Sequence, residues 1–322
     1  MLKRIAKVAV TAVAVALVLV GMGGCSRANQ YDSLANDATG YVYKQYVEGQ
    51  AVDADTAYIL SLAGDGITVD QWVYKDKTLK ETVIASIDKT LQNPALASAK
   101  ALAQQALIAK QWGRTDLVDR LVAALKEREK PKGGFDDNIY SDIPAYLALA
   151  RAGYLNTFNL DHARQYLISH QSQERNALGS WGAVQNGTFY PDFASTCQAI
   201  QALAYLPGAK RDQEIRTAID RGLSYLRQHQ QADGSVYVTQ PWADDPVVDT
   251  SEIIITLKLL GQDPASWKND QGLTPIDYMV NKAKNPDGSF GSVKNITGAA
   301  KALHAYVFLG AKPQFKVPAA GR

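Results

Sequence analysis

The stretch Arg221-Gly-Leu-Ser-Tyr-Leu-Arg-Gln-His-Gln-Gln-Ala-Asp-Gly-Ser235 decides the fold, because related stretches recur along the chain. It has the pattern of an amphipathic helix and a Gly-Ser turn, and a more apolar helix follows from Asp249 to Leu260. Related units contain Gly179-Ser-Trp181 and Gly288-Ser-Phe290. Repetition at a period of roughly 20–50 residues is typical of architectures whose units bury their apolar faces against each other. The sequence therefore predicts a repeat protein.

Two kinds of helix alternate along the chain. Apolar residues recur at i, i+3 and i+4 in nearly every segment, whereas strand-like alternation is almost absent. Six helices have one charged and one apolar face, so they are expected to lie outside. They start near Tyr31, Thr78, Asp116, Asp161, Asp212 and Thr274. Six others are apolar around most of their circumference, so they should be surrounded by helices. They cover about Asp53–Ala63, Leu96–Trp112, Ser141–Ala152, Asp192–Leu206, Asp249–Leu260 and Asn295–Leu309.

Six outer helices that alternate with six inner ones predict an all-α fold, the (α/α)6 toroid, which is a closed double ring. An open solenoid is the alternative, since antiparallel helix pairs also stack in that way. Six units suit closure, and neither end of the chain has the polar-faced capping unit that a solenoid needs. The toroid is predicted to span residues 31–310. Residues 311–322 are expected to form a loose C-terminal tail.

The N-terminal segment has the layout of a secretory signal. A basic start at residues 3–7 precedes an apolar run from Val8 to Val20, and Gly23-Gly24-Cys25 follows. This end resembles the lipobox of bacterial lipoproteins, which implies a signal peptide over residues 1–24 and a lipidated Cys25 with a tether to residue 30. An uncleaved membrane span and an ordinary cleaved signal stay open, although the run is short for a span of about 20 residues. The expected location is the extracytoplasmic face of the cell membrane, held by the lipid.

Composition excludes some partners and bonds. Residues 1–24 hold three Lys or Arg and no Asp or Glu, so the remaining chain has 31 basic and 32 acidic residues, a net charge near −1. No basic patch with interleaved aromatic residues is present, and no nucleic-acid partner is expected. Cys197 is the only cysteine besides Cys25, so the predicted domain cannot form an internal disulfide.

The repeated unit resembles the QW motif of the terpene cyclase and protein prenyltransferase α/α toroid superfamily. That motif is a basic residue, Gly, two residues, an aromatic, Leu, three residues, Gln, three residues, Gly, one residue and Trp. Arg221-Gly222, Tyr225-Leu226, Gln230 and Gly234 fit it in register, and Val236 stands at the Trp position. The resemblance covers essentially residues 31–310 and implies the toroid.

The other copies are degenerate in different ways. The unit with Tyr166-Leu167, Gln171 and Trp181 has extra residues between Gln and Gly. The last unit keeps Gly288-Ser289-Phe290 but has Ala283 in place of Gln. In cyclases this motif braces helix ends, so it implies a fold rather than a reaction.

The catalytic residues that the resemblance implies are missing. Cyclases that start by protonation carry Asp-x-Asp-Asp-Thr at the start of an inner helix, and the middle Asp is the acid. Alignment on Asp249-Thr250 or on Ser195-Thr196 puts Val248 or Ala194 at the acid position. A hydrocarbon side chain cannot supply a proton. The Asp-Asp-x-x-Asp that holds magnesium in other cyclases is matched only at Asp136-Asp137, where Tyr140 takes the third position.

Zinc and cofactor sites are not expected either. Asp192-Phe-Ala-Ser-Thr-Cys197 resembles a zinc-binding stretch of prenyltransferases, but Ser195 takes the place of the His ligand, and a zinc site needs about four ligands. Vitamin B12 carriers of the transcobalamin type use the same toroid as a binding surface, together with a β domain that this chain does not have room for after Leu309. The resemblance implies a binding module and does not identify its ligand. The expected partner is a cyclic, glycan or corrinoid-like small molecule, or a surface protein.

The ligand mouth is expected at the ring end where the inner helices begin, because free N–H groups and positive dipole ends converge there. Residues expected at this rim are Asp55, Asp137, Tyr140, Asp142, Trp181, Tyr190, Asp192, Trp242, Asp244, Asp245, Asp249 and Glu252. Aromatic rings beside carboxylates suit a carbohydrate or cyclic ligand. Helix capping explains Asp142, Asp192 and Asp249 completely, and for these three it is favoured over ligand contact. Trp181 can instead fill space between helix ends.

The sequence therefore predicts a non-catalytic ligand- or protein-binding module. The alternative is a toroid enzyme, either terpene cyclase- or prenyltransferase-like, or a polysaccharide-active enzyme with paired carboxylates. Asp244 with Glu252, or Asp137 with Asp192, are the candidate pairs. Such an enzyme needs a carboxylate with a raised pKa beside a deep pocket.

Overall fold

The computed structural model describes residues 29–239 and 243–318, so the predictions for Cys25 and Trp242 lie outside the described residues. Within this part of the chain, twelve α-helices follow one another. They are α1 (29–47), α2 (Ala54–Leu62), α3 (Leu79–Gln92), α4 (Ala99–Gln111), α5 (Thr115–Lys126), α6 (Ile139–Ala152), α7 (Leu160–Ser169), α8 (Phe193–Tyr205), α9 (Gln213–Gln228), α10 (Pro246–Leu259), α11 (Pro275–Asn281) and α12 (Ile296–Phe308). Two short antiparallel hairpins interrupt them, β1 (Val73–Tyr74) with β2 (Lys77–Thr78), and β3 (Trp181–Gln185) with β4 (Thr188–Asp192).

The even-numbered helices form a closed inner ring. Each packs against the next even-numbered helix, and α12 packs against α2. In an open solenoid the first and last inner helices would not touch, so the predicted all-α toroid is confirmed.

Burial distinguishes the inner from the outer helices. In α10, every residue from Asp249 to Leu257 is buried, because neighbours surround this helix on all sides. In α9, the buried residues recur at helical spacing along one face, from Ile215 to Leu226, and the charged face meets solvent. The alternation of apolar and amphipathic segments in the sequence therefore corresponds to inner and outer positions.

Two inner helices, α6 and α10, begin earlier than predicted, at Ile139 and Pro246. Asp192 caps α8 as expected, where its Oδ1 accepts the N–H of Ser195 at 2.5 Å. In α6 and α10, however, the caps are Asn138 and Asp245. Asp249 therefore lies inside the first turn, where its carboxylate accepts an N–H from the preceding loop instead.

The degenerate repeats occupy equivalent places. Trp181, Val236 and Phe290 are each fully buried beside an inner helix. The backbone N–H of Trp181 donates to Thr196 Oγ1 at 2.9 Å, and that of Val236 donates to Thr250 Oγ1 at 3.0 Å. The repeat position thus holds a buried apolar side chain in all three units, with a threonine partner at Trp181 and Val236, and the indole is not required at every copy.

The C-terminal segment 311–318 is packed, contrary to the loose tail that the sequence predicted. The N–H of Lys312 donates to Asp32 Oδ1 at 2.6 Å, which ties the segment to α1. The ring of Phe315 lies 5.4 Å from that of Tyr43 and 5.8 Å from that of Trp72. Phe315 fills a gap at the seam between the first and last units. The two prolines of this short segment suggested a loose tail and gave no sign of this packing.

Candidate functional site

A small cavity lies on the axis of the inner ring, since residues from all six inner helices line it. Its volume is about 20 Å³, close to the space that a single water molecule needs. Each inner helix contributes a polar side chain to the lining: Asp55, Gln104, Arg151, Gln198, Glu252 and Lys301. The centre of the ring is therefore narrow and polar.

Lys301 closes this centre. Its Nζ lies 2.9 Å from Asp55 Oδ2 and 2.9 Å from Glu252 Oε1, so one cation joins α12 to both α2 and α10. The side chain of Glu252 is only 2% exposed. Burial opposes the charged form of Asp55, but the nearby ammonium of Lys301 lowers the pKa of that carboxyl to about 2. Burial likewise opposes the charge of Lys301, but the two carboxylates hold its pKa above the usual value.

Polar contacts extend from this ion pair across the ring. The amide of Gln201 donates to Glu252 Oε2 at 3.1 Å and to Thr256 Oγ1 at 2.9 Å. Arg151 donates in turn to Gln201 Oε1 at 2.6 Å. We call Asp55, Arg151, Gln201, Glu252 and Lys301 the axial network. The axial network thus links five of the six inner helices, namely α2, α6, α8, α10 and α12, by polar contacts.

His304 lies one turn beyond Lys301 and is fully buried. Neither ring nitrogen has a hydrogen-bond partner within the described residues. Burial lowers the pKa of His304 to about 3, and the charges of Arg151 and Lys301 act in the same direction. The imidazole is therefore neutral at physiological pH.

Sequence reasoning placed Asp55 and Glu252 at the rim but did not identify Lys301, Arg151 or Gln201. A signal was present, because a single Lys interrupts the apolar helix α12 and a single Glu interrupts α10. A buried charge requires a partner of opposite sign. The identity of that partner depends on which helices meet when the ring closes, which the local pattern does not show.

A second polar group lies at the mouth, where α6, α8 and α10 begin. It consists of Tyr140, Asp192, Asp244 and Asp249, which we call the mouth cluster. Asp192 ends β4 and caps α8, so two elements fix its position. Asp249 is 3% exposed, whereas Tyr140 is 40% exposed and offers its ring to solvent.

The carboxyl groups of the mouth cluster act on one another electrostatically. Burial raises the pKa of Asp244 to about 6, and the charge of Asp192 adds to the effect. Burial and the charges of Asp192 and Asp244 raise the pKa of Asp249 well above its usual value. The cluster thus favours protonation of Asp244 and Asp249, and a carboxyl group that keeps its proton can donate as well as accept hydrogen bonds.

Other predicted rim residues have different surroundings. Asp245 caps α10 and its Oδ2 accepts the N–H of Ser292 at 2.9 Å, so it ties two loops together. Asp142 is fully buried and accepts the N–H of Asp136 at 2.9 Å. Trp181 lies in the core, where its Nε1 donates to the carbonyl of Leu167 at 2.7 Å.

The remaining two lie beside the hairpin of β3 and β4. Asp137 is exposed, has a φ of 55° and pairs with Lys130. Tyr190 is half-buried on β4. The structure therefore brings Tyr140, Asp192, Asp244 and Asp249 together, places Glu252 deeper on the axis, and separates Trp181, Asp142 and Asp245 from the mouth surface.

Neither group has the composition of a metal centre. Among residues 29–239 and 243–318, no three His, Cys, Asp or Glu side chains are arranged to hold a metal ion. The same part of the chain contains no helix with the length and apolar character that crossing a membrane requires.

Comparisons with known proteins identify the fold. No protein-family model matches the chain, and no curated protein does. Among solved structures it is similar to the type II terpene cyclase MstE from Scytonema in complex with its product merosterolic acid A, with 14% identity, a TM-score of 0.56, and coverage of 88% of this chain and 98% of that one. The same figures hold for MstE with its substrate geranylgeranyl dihydroxybenzoate, and the apo enzyme gives a TM-score of 0.55 at 14% identity. The chain therefore has a terpene cyclase-like fold.

Proposed function

We propose that this protein is a lipid-anchored, extracytoplasmic binding module that holds its ligand at the mouth cluster and catalyses no reaction. The terpene cyclase-like toroid supplies the frame. The lipobox-like Gly23-Gly24-Cys25 supports the anchor. The ligand class that the mouth cluster favours is a hydroxyl-rich or cyclic molecule, because its carboxyl groups offer hydrogen bonds beside the exposed ring of Tyr140.

The axial network carries the non-catalytic part of the proposal. Ligand pockets for small molecules have volumes of about 300–1,000 Å³, whereas the axial cavity measures about 20 Å³. A prenylated benzoate such as the MstE substrate does not fit in a space for one water molecule. Lys301 and its two carboxylates occupy the place where an apolar chain would have to fold.

The residues at the starts of α8 and α10 also argue against a cyclase reaction. Ala194 and Val248 lie in the first turns of α8 and α10, at the positions where a cyclase of this fold would carry its acid. Neither can protonate an alkene. The ring thus has a polar centre, and its two aligned acid positions hold no proton donor.

Binding to the full-length chain in detergent tests the proposal, with a glycan array and cyanocobalamin as probes. We expect a ligand whose affinity falls at least about tenfold in the Asp244→Asn, Asp249→Asn double variant, since each lost polar contact costs about 1 kcal/mol. Asp270→Asn is the matched control, because Asp270 is exposed on the turn before α11, away from the mouth. Equal binding by both variants, or turnover of geranylgeranyl dihydroxybenzoate, would contradict the proposal.

A second candidate is a polysaccharide-active enzyme, and the raised pKa of Asp244 favours it. A general acid in such enzymes is a carboxyl group that keeps its proton near neutral pH beside a second carboxylate. Burial and a neighbouring carboxyl group raise the pKa of both Asp244 and Asp249 in this direction. Release of sugars from bacterial cell-wall glycans by the wild type, abolished in Asp244→Asn and retained in Asp270→Asn, would establish this second function.

A further inference from the structure

The hairpin of β3 and β4 has two edges with different properties. Gln185 pairs with Thr188 across the two-residue turn Asn186-Gly187, and the pairs then follow as Val184 with Phe189 and Gly182 with Pro191. In a hairpin with a two-residue turn, the closing pair exchanges hydrogen bonds and the next pair does not. Val184 and Gly182 therefore direct their N–H and C=O groups away from β4.

The edge of β4 is blocked. Pro191 has no N–H and lies at an outward-facing position of β4, as proline does on strand edges that avoid further pairing. The edge of β3 has no such protection. Among the described residues, no backbone hydrogen bond outside the ladder reaches Gly182 or Val184.

A groove of about 700 Å³ opens beside β3. Its lining comprises residues 182–184 of β3, Phe189 of β4, the loop 136–139 and residues 169–174. Because three consecutive residues of β3 and only one of β4 reach it, the groove follows the unprotected edge. The side chain of Val184 is 66% exposed beside it, without a packing partner that covers it.

The groove has one acidic side chain, that of Glu174, that is not neutralised by an ion pair among the described residues. Its lining includes Asp136, Asp137 and Glu174 and no Lys or Arg. Arg128 and Lys130 pair with the two aspartates from outside the lining. Glu174 is exposed and forms no ion pair within the described part of the chain.

We propose that the edge of β3 receives an extended segment of a partner polypeptide as a third strand, and that this segment carries Lys or Arg. Addition of a strand to an open edge derives its affinity from backbone hydrogen bonds and its specificity from side chains. Gly182 and Val184 supply the backbone groups, Val184 and Phe189 supply an apolar face, and Glu174 attracts the basic side chain. The lining of this groove includes no residue of the mouth cluster, and the proposal does not depend on ligand binding there.

The test is selection of a phage-displayed library of random nine-residue peptides against the immobilised full-length chain. Val184→Pro removes an outward N–H without breaking a ladder bond, because Val184 makes no bond to β4. Asp270→Asn, on the exposed turn before α11, is the control away from the groove. We expect selected peptides to contain Lys or Arg and to lose affinity about tenfold in Val184→Pro, while binding to Asp270→Asn changes less than about twofold. Glu174→Gln should weaken them about threefold.

A second measurement covers the case in which Val184→Pro does not fold. Two forms of the selected peptide are made, one N-methylated at its odd-numbered residues and one at its even-numbered residues. Alternate residues of a strand direct their N–H groups to opposite sides, so one form should still bind the wild type and the other should not. No peptide above background, or equal binding by Val184→Pro and both methylated forms, overturns the proposal. A concentration-dependent dimer in sedimentation velocity that Val184→Pro dissolves also overturns it, because a second copy then occupies the edge.

Discussion

Lys301 and Asp55 lie 2.9 Å apart, Nζ to Oδ2, and they come from the last and the first inner helix. Their ion pair therefore bridges the seam at which the ring closes. Since Lys301 also contacts Glu252 of α10, it neutralises two buried carboxylates at once.

Lys301→Met leaves these two carboxylates buried without a cation. We expect it to lower the free energy of unfolding by about 3–5 kcal/mol, the usual cost of an uncompensated buried charge, as measured by urea denaturation. Adding Asp55→Asn and Glu252→Gln to Lys301→Met should recover most of the loss. Lys284→Met is the control, because its exposed ion pair with Asp37 should be worth less than about 1 kcal/mol.

Asp244→Asn should stabilise the protein in a pH-dependent way. The folded-state pKa of about 6 lies above the ordinary 3.8, so between these values the folded chain holds a proton that the unfolded chain has lost. Stability from this group is present below pH 4 and falls as the pH rises to 6. Allowing for partial exposure, the variant should gain about 1 kcal/mol at pH 7 and almost nothing at pH 4.

Urea denaturation of the wild type, Asp244→Asn and Asp270→Asn at both pH values checks this expectation. Equal stability of the wild type and Asp244→Asn at pH 7 would show that the folded structure does not raise the pKa of Asp244.

His304→Met should stabilise the fold by about 1 kcal/mol. Both ring nitrogens are buried without a partner in the described residues, and a buried polar group that forms no hydrogen bond is unfavourable. His229→Met is the matched control, since His229 Nδ1 lies 2.8 Å from the carbonyl of Tyr225 and its loss should destabilise by a similar amount. Thermal unfolding of both variants decides the sign.

Phe315→Ala should destabilise by about 1–3 kcal/mol, because the half-buried ring packs on Tyr43 and Trp72. Lys316→Ala, next to it and exposed, should change stability by less than about 0.5 kcal/mol. If chemical denaturation finds equal effects, the segment 311–318 does not contribute to the seam.

Cys25→Ala should abolish both incorporation of an alkyne fatty-acid analogue and retention in the membrane fraction. A single acyl chain gives only marginal membrane binding. Retention in the membrane fraction therefore does not report lipidation by itself, and labelling is measured beside it. Labelling that persists in the variant places the anchor elsewhere. The change Cys197→Ala is the control for labelling at the buried thiol.

The sequence predicted the ring well because burial on all sides has a local signature. In α10 the uninterrupted run Ile253–Ile255 identified an inner helix, and in α9 the spacing from Ile215 to Leu226 identified an outer one. Helix starts were less predictable, since a carboxylate such as Asp249 can bind the preceding loop instead of its own helix. The pattern fixes which residues are buried but leaves the partners of their polar atoms open.

The axial network and the hairpin illustrate two different limits. The pairing of Lys301 with Asp55 joins residues far apart in the chain, so no local pattern reveals it. The hairpin had a local signal in Asn186-Gly187, whose φ angles of 52° and 79° suit a type I′ turn. The helical periodicity of the segments on either side led to the prediction of helices alone.

Chain order makes closure of the ring a late event in folding. Asp55 and Lys301 are 246 residues apart, and contacts between such distant residues form slowly because a long loop must be closed first. Synthesis delivers Asp55 and Glu252 before the lysine that neutralises them. A chain that ends before α12 would leave Asp55 and Glu252 without their cation, and would expose the faces of α2 and α10 that α12 covers. The last helix thus distinguishes complete chains from truncated ones, which would remain open to proteases.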